Sequence, residues 1–291
     1  MVNEARLREG LISIGLGRVA DALLSLARPS AALRTAAWAG SGMPLGQSRI
    51  GGCPDLPATF AWPYWGGKPQ AFVAQVNLAE VAPHLAEHGL PATGLLYFFC
   101  DAAERPWGLD PTDRESWTVL YDDSEPSVRE RTSLPFDAAG EGQLPFDAWF
   151  KPCSVTFSYD LAPPSWFSPH LDAIMSWEEQ DRYWRWWIGY FKSRRPVHRL
   201  LGLPDVIQGD GERERQLATH GAYADDAAPA WRNERYTHLK ADADDWLLLL
   251  QVDSDDAALM WWGDGMIQYW IRERDLRARN FASTWLVWQP S

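Results

Sequence analysis

Apolar positions along the chain fall into two kinds of spacing. Leu7, Leu11, Ile14, Leu23 and Leu26, interleaved with charged residues, predict an amphipathic N-terminal helix. It should stop near Arg28, because Pro29 biases its predecessor away from helix. A second short helix is predicted over residues 31–38. Short apolar runs rich in β-branched and aromatic residues predict strands over 71–78, 94–100, 117–121, 246–253, 266–271 and 284–288. Helical spacing returns over 78–88, where Asn77 can cap and Gly89 can terminate, and over 176–192, 213–218 and 273–278. Residues 122–170 are rich in Pro, Asp, Gly and Ser and predict loops with short strands, one over 153–159. In the segment 176–192, Trp184, Trp187 and Phe191 share one helical face, expected to be core. Trp186 lies on another face and is a candidate exposed anchor for a partner.

The pattern around 50–121 recurs in the same order around 200–288. Gly52, Pro54 and Asp55 fall on Gly202, Pro204 and Asp205. The run Phe72-Val-Ala-Gln-Val-Asn77 falls on Leu248-Leu-Leu-Gln-Val-Asp253, which places Gln75 on Gln251. Gly94-Leu-Leu-Tyr-Phe-Phe falls on Gly265-Met-Ile-Gln-Tyr-Trp, and Trp117-Thr-Val-Leu-Tyr on Trp285-Leu-Val-Trp-Gln. The expectation is an α+β fold of two internally duplicated halves, with mainly antiparallel β-sheets and flanking helices forming one compact body. Its parts would be a helical segment over 1–40, a first half over 41–195 with a loop-rich and aromatic-helix insertion, and a second half over 196–291. A Gln inside a buried strand is costly unless its amide is satisfied. Its place in both halves points to bonding the Pro-Asp turn of its own half, with a shared ligand as the sharper alternative.

Composition narrows the function classes. A net charge of −12 over 291 residues argues against a nucleic-acid backbone, which needs clustered Lys and Arg. It leaves open a basic protein partner or a small molecule. No apolar run approaches the roughly 20 residues of a membrane span. Cys53, Cys100 and Cys153 form no Cys-x-x-Cys motif, so a reduced cytoplasm fits best and a disulfide framework or zinc site does not. The 18 Trp residues are unusual and suggest packed sheets, aromatic ligand surfaces, or both.

Several motifs together resemble the YwqG-like family of bacterial proteins of unknown function. They are Ser48-Arg-Ile-Gly-Gly-x-Pro-Asp-Leu-Pro57, Trp62-Pro63, Phe72-Val-Ala-Gln-Val-Asn-Leu78, His198-Arg-Leu-Leu-Gly-x-Pro-Asp-x-Ile-Gln208, Leu248-Leu-Leu-Gln-Val-Asp-Ser254, Trp262-Gly-Asp264 and Ile271-Arg-Glu-Arg-Asp-Leu276. The resemblance runs from about residue 30 to the end and is weakest over 102–195. It implies a mixed α/β cytoplasmic protein and no defined activity. By association it suits an accessory or toxin-immunity role.

No nucleophile motif or phosphate-binding loop is present, so no catalytic residue, cofactor or metal is assigned and the reading leans away from an enzyme. The carboxylates of Asp253, Asp255, Asp256 and Asp264 could suit a hard cation, but a polar strand end accounts for them more simply. What the halves do not share marks the candidate ligand residues: His198, which stands where the first half has Ser48, then Gln208, Asp210, Trp262 and Asp264, at the seam of the two halves. The leading expectation is a non-enzymatic binding protein with a protein partner. The alternative is a small-molecule binder or hydrolase using that polar cleft.

Overall fold

A computed structural model describes residues 3–40, 42–85, 88–135, 149–207, 211–222 and 234–290. Fourteen strands occur among them: β1 (Arg28–Ala37), β2 (Arg49–Ile50), β3 (Asp55–Pro57), β4 (Tyr64–Trp65), β5 (Lys68–Pro69), β6 (Ala71–Asn77), β7 (Leu95–Cys100), β8 (Trp117–Asp122), β9 (Arg129–Arg131), β10 (Cys153–Ala162), β11 (His198–Leu200), β12 (Trp246–Asp253), β13 (Met266–Arg272) and β14 (Trp285–Gln289). The α-helices are α1 (Glu4–Ser13), α2 (Ala20–Leu26), α3 (Leu78–Leu85), α4 (Trp177–Lys192), α5 (Gly211–Ala218) and α6 (Glu273–Arg277). No described helix is long and apolar enough to cross a membrane.

Ten strands form one antiparallel sheet in the order β14-β13-β12-β11-β1-β10-β2-β6-β7-β8. The long pair β1–β10 lies at its centre, with Arg28 opposite Ala162 and Ala37 opposite Cys153. Thus residues 31–38, expected as a helix, are mostly a central strand. Alanine has high helix propensity, but Ala31 and Ala32 are buried between two neighbouring strands, and this tertiary setting overrides propensity. The N-terminal helix is likewise two, α1 and α2, separated by a tight turn at Gly15–Val19. The helical part of the chain's start therefore ends at Leu26, well before residue 40.

The sheet curls until its ends meet, so it is nearly closed. Trp117 on β8 donates from Nε1 to the Thr284 carbonyl (3.0 Å) and packs edge-on against Trp285 (5.0 Å between centroids). Trp285 donates to the Gly108 carbonyl (2.7 Å), and the Trp288 amide to the Trp107 carbonyl (3.2 Å). Inside, Phe98 packs on Tyr269 at 5.0 Å. Trp107, Trp117, Trp285 and Trp288 thus meet at the closure, the indoles of Trp117 and Trp285 each bringing apolar area and one donor to a strand end.

Candidate functional site

The Gly-x-Pro-Asp turns are held by the same side-chain network in both halves. The Asp55 amide donates to Gln75 Oε1 (2.7 Å), and the Asp205 amide to Gln251 Oε1 (2.9 Å). Each Gln then donates to the carboxylate of its own Asp, at 3.0 and 2.9 Å. Each carboxylate also binds a buried arginine: Arg49 to Asp55 at 2.5 Å, and Arg199 to Asp205 at 2.6 Å. Those arginines face Gln75 and Gln251 across the sheet and close the turn by donating to the carbonyls of Cys53 and Leu203. Burial lowers the Arg49 guanidinium to about 10 against the opposing pull of Asp55, which leaves it charged at neutral pH. The glutamines therefore play the structural part, and the two arginines are their partners.

The second half's distinctive histidine sits in this framework too. His198 is buried, and its Nδ1 accepts from the Asp253 amide (3.1 Å) while Nε2 lies 3.1 Å from Asp255. The first contact makes Nδ1 an acceptor, so Nε2 carries the proton and donates. The difference from Ser48 is smaller than the sequence suggests: Ser48 Oγ accepts from the Asn77 amide (2.8 Å), the matching bond. Asp253 accepts both Nε and Nη2 of Arg195 (3.0 and 2.5 Å), and Asp255 accepts from Thr35 (2.6 Å) as well as His198. These carboxylates are satisfied by side chains of the protein rather than poised for a cation.

The other described sequence candidates do not converge with His198 on one cleft. Trp262 is buried and packs on Phe150 at 5.3 Å. Asp264 is on an exposed turn with φ 55°, accepting from Trp261 Nε1 (3.3 Å), and does not bond His198. Gln208 and Asp210 lie outside the described residues. Trp186 is half-buried, stacked on Tyr190 (4.9 Å) and close to Gly10 of α1, whereas Trp184 is 38% exposed and Trp187 is core. The fourth sequence match is also displaced by one residue: Trp117 faces Cys100, whereas Trp285 faces Trp270, the counterpart of Phe99.

A sizeable cavity lies elsewhere, beside the second turn. It is a groove of about 600 Å³. Its apolar lining includes Leu203, Trp246, Leu247, Leu248, Trp270 and Leu276. Its polar rim carries Arg28, Arg277, Asp244 and Glu273, with His88 and His170. The floor is firmly built. Trp246 donates to Gln216 (2.9 Å), the Arg272 guanidinium lies 4.4 Å from the Trp246 ring, and Arg272 donates to the same Gln216 oxygen (2.7 Å). Burial lowers Arg272 below its ordinary value. Arg28 spends one Nη on the carbonyls of Ser25, Leu26 and Ala27, which fixes its stem at the groove wall. None of the described sequence candidates, His198, Trp262, Asp264 and Trp186, lines the groove. It is assembled from separate segments, so no local motif announces it; Asp244 reads in the sequence only as a solvated approach to a strand.

The matching place beside the first turn is filled. Phe150 stands three residues before Cys153, which faces Ile50; Arg28 stands three before Ala31, which faces Leu200. In the first half the Gly52 amide donates to the Phe150 carbonyl (2.9 Å), and the Lys151 amide to the Ala258 carbonyl (2.7 Å). The chain there is so close that a Cβ on Gly51 would sit 2.4 Å from the Lys151 oxygen, and Gly51 also has φ 67°.

Fold and groove together define an α+β protein built on one nearly closed antiparallel sheet. A family model described as a domain of unknown function (DUF1963) matches residues 48–290, and the chain belongs to that family. A comparison with curated proteins finds no match.

Proposed function

We propose that the protein is a non-enzymatic binding protein whose ligand lies in the groove beside the second turn. The observation that carries this reading is a groove of about 600 Å³ where the matched place in the same chain is filled. That volume falls within the ~300–1,000 Å³ of typical ligand sites. Its tryptophan and leucine floor with a charged rim suits an apolar body bearing a few polar groups. The matched networks also support an origin of the two halves by duplication, with one half free to acquire the ligand site.

The test uses anilinonaphthalene sulfonate as probe. Saturable fluorescence enhancement is expected, with affinity reduced about tenfold or more by Leu203→Trp, which fills the groove while circular dichroism stays unchanged. Absent saturable binding, or binding indifferent to Leu203→Trp, rejects the reading.

One observation favours a second reading, a basic protein partner docking on α4: Trp177 is 79% exposed on a helix with Glu178 beside it. This is where an accessory or immunity role would operate, in a reducing cytoplasm suited to the three free thiols. Failure to recover a stoichiometric partner from native lysate, or recovery unaffected by Trp177→Ala, counts against it.

A further inference from the structure

The groove has the shape of a missing strand. β11 is three residues long and pairs Arg199 and Leu200 with Gln251 and Leu250 of β12. The last rung on that side is the Leu201 amide to the Leu249 carbonyl (3.2 Å). The chain then turns out of the sheet at Leu201 and Gly202, with φ of 55° and 82°. Its neighbours run on. β12 extends back through Leu248 and Leu247 to Trp246, paired with β13 on its far side. β1 extends back to Arg28, paired with β10 on its far side. Among the described residues, no backbone hydrogen bond is made on the β11 side by Trp246, Leu247 or Leu248. Both borders of this slot, Trp246–Leu248 and Arg28–Pro29, line the groove.

We infer that the groove takes an extended, apolar, uncharged polypeptide segment, which adds to the sheet as a short strand along β12. Main-chain donors and acceptors along a strand edge are costly to leave without partners, and an added strand satisfies them. The edge offered is three residues long, or about 10 Å at ~3.3 Å per residue, so the segment is short. β12 must supply the donors, because Pro29 on the opposite border has no N–H. Successive side chains of a strand point to opposite faces, and both faces here are apolar: Trp246 and Leu248 with Trp270 on one, Leu247 on the other. An incoming segment would therefore carry apolar residues at successive positions. The rim charges balance, Arg28 and Arg277 against Asp244 and Glu273, which selects against a charged segment. A compact small molecule would use the same floor but leave the strand edge unpaired.

This inference rests on the groove being the ligand site, and the two can fail separately. Panning short random peptides displayed on phage against the full chain should select apolar, uncharged sequences. A selected peptide should displace anilinonaphthalene sulfonate and slow hydrogen exchange across Trp246–Leu248 about tenfold or more. N-methylation of its central amides should weaken binding about tenfold or more, since only a strand needs those N–H groups. No selected binder, no exchange protection across Trp246–Leu248, or equal binding of the N-methylated peptide overturns strand addition. The proposed function then still stands if dye binding is saturable and sensitive to Leu203→Trp, and falls with it if not. The exchange readout uses the unmutated chain, so a folding defect in Leu203→Trp cannot mask the answer.

Discussion

Beside the first Pro-Asp turn the chain stitches itself shut; beside the second, with the same side-chain network underneath, it leaves a groove. The difference begins with the residue preceding the central strand in each case. Phe150 turns into the core against Trp262, and its carbonyl takes the Gly52 amide. Arg28, in the matching place, keeps its guanidinium on the carbonyls that end α2 and walls a cavity. The turn itself is common to both. This separates two kinds of residue: the Arg-Asp-Gln network holds each turn, and the segments laid across it decide whether a groove stays open beside it.

The largest effect should come from breaking the network. Asp55 accepts from Arg49, Arg131, Gln75 and the Gly46 amide. Asp55→Ala strands a buried guanidinium and should cost ~3–5 kcal/mol in guanidinium-chloride unfolding. Asp205 accepts from Arg199 and Gln251, so Asp205→Ala should cost less, by about 1 kcal/mol. Equal costs would mean that the Arg131 and Gly46 bonds add nothing.

Next come the glutamines. Gln75 and Gln251 share three bonds of the same kind, to the Asp amide, the Asp carboxylate and a carbonyl, that of Gln47 or Val197, and Gln251 Oε1 also accepts a longer bond from Gln268 Nε2 (3.3 Å). Gln75→Leu and Gln251→Leu should each cost about 2 kcal/mol, the penalty of a buried amide left unpaired. Because the networks match, the two values should agree within about 0.5 kcal/mol, a tolerance set by ordinary surface-scale variation.

A further difference is visible only in acid. Burial pushes the Asp255 carboxyl up, but hydrogen bonds from His198 and Thr35 outweigh it and hold the group at about 2, below its ordinary 3.8. The unfolded chain therefore takes up that proton first. The stabilisation is complete above pH ~4, and is lost as the pH falls through about 2; it amounts to ~2–3 kcal/mol at ~1.4 kcal/mol per pH unit. Asp255→Asn should narrow its stability gap from the parent over that window. The first half has Ser48 where His198 stands and lacks this acid sensitivity at the matching position.

Much of this scaffold can be read from residues. The Gly-x-Pro-Asp turns with a Gln-bearing strand predict the bond that forms, and Ser176 with Glu179 caps α4 as their spacing suggests. Arg49 and Arg199 carry a signal that is easy to miss: a cation six positions before the Asp, in otherwise apolar surroundings, in both halves. Other features have no local signature. Ala31–Ala37 is helical by composition and a strand by position. A helical wheel finds the faces of α4, yet only the docking of α1 decides that Trp186 is half-covered and Trp184 is not. The groove depends on a strand that stops early and on side chains brought together from distant segments, and periodicity carries no trace of either.

Arg28→Phe puts the first half's residue into the groove wall. It forfeits exposed hydrogen bonds to the ends of α2, worth ~0.5–1.5 kcal/mol together with the dipole they offset. It returns part of the ~1.5–3 kcal/mol available from burying a phenylalanine against Trp246, Leu248 and Trp270. The two nearly cancel, so the unfolding free energy should move by no more than about 1 kcal/mol. Binding of anilinonaphthalene sulfonate, in contrast, should weaken because the ring occupies the ligand's volume. A variant that loses stability and keeps dye affinity would show that Arg28 supports α2 and that the groove's opening is set elsewhere, by the turn at Leu201 and Gly202. A variant that holds its stability and loses the dye would place the choice between a filled and an open half at this one position.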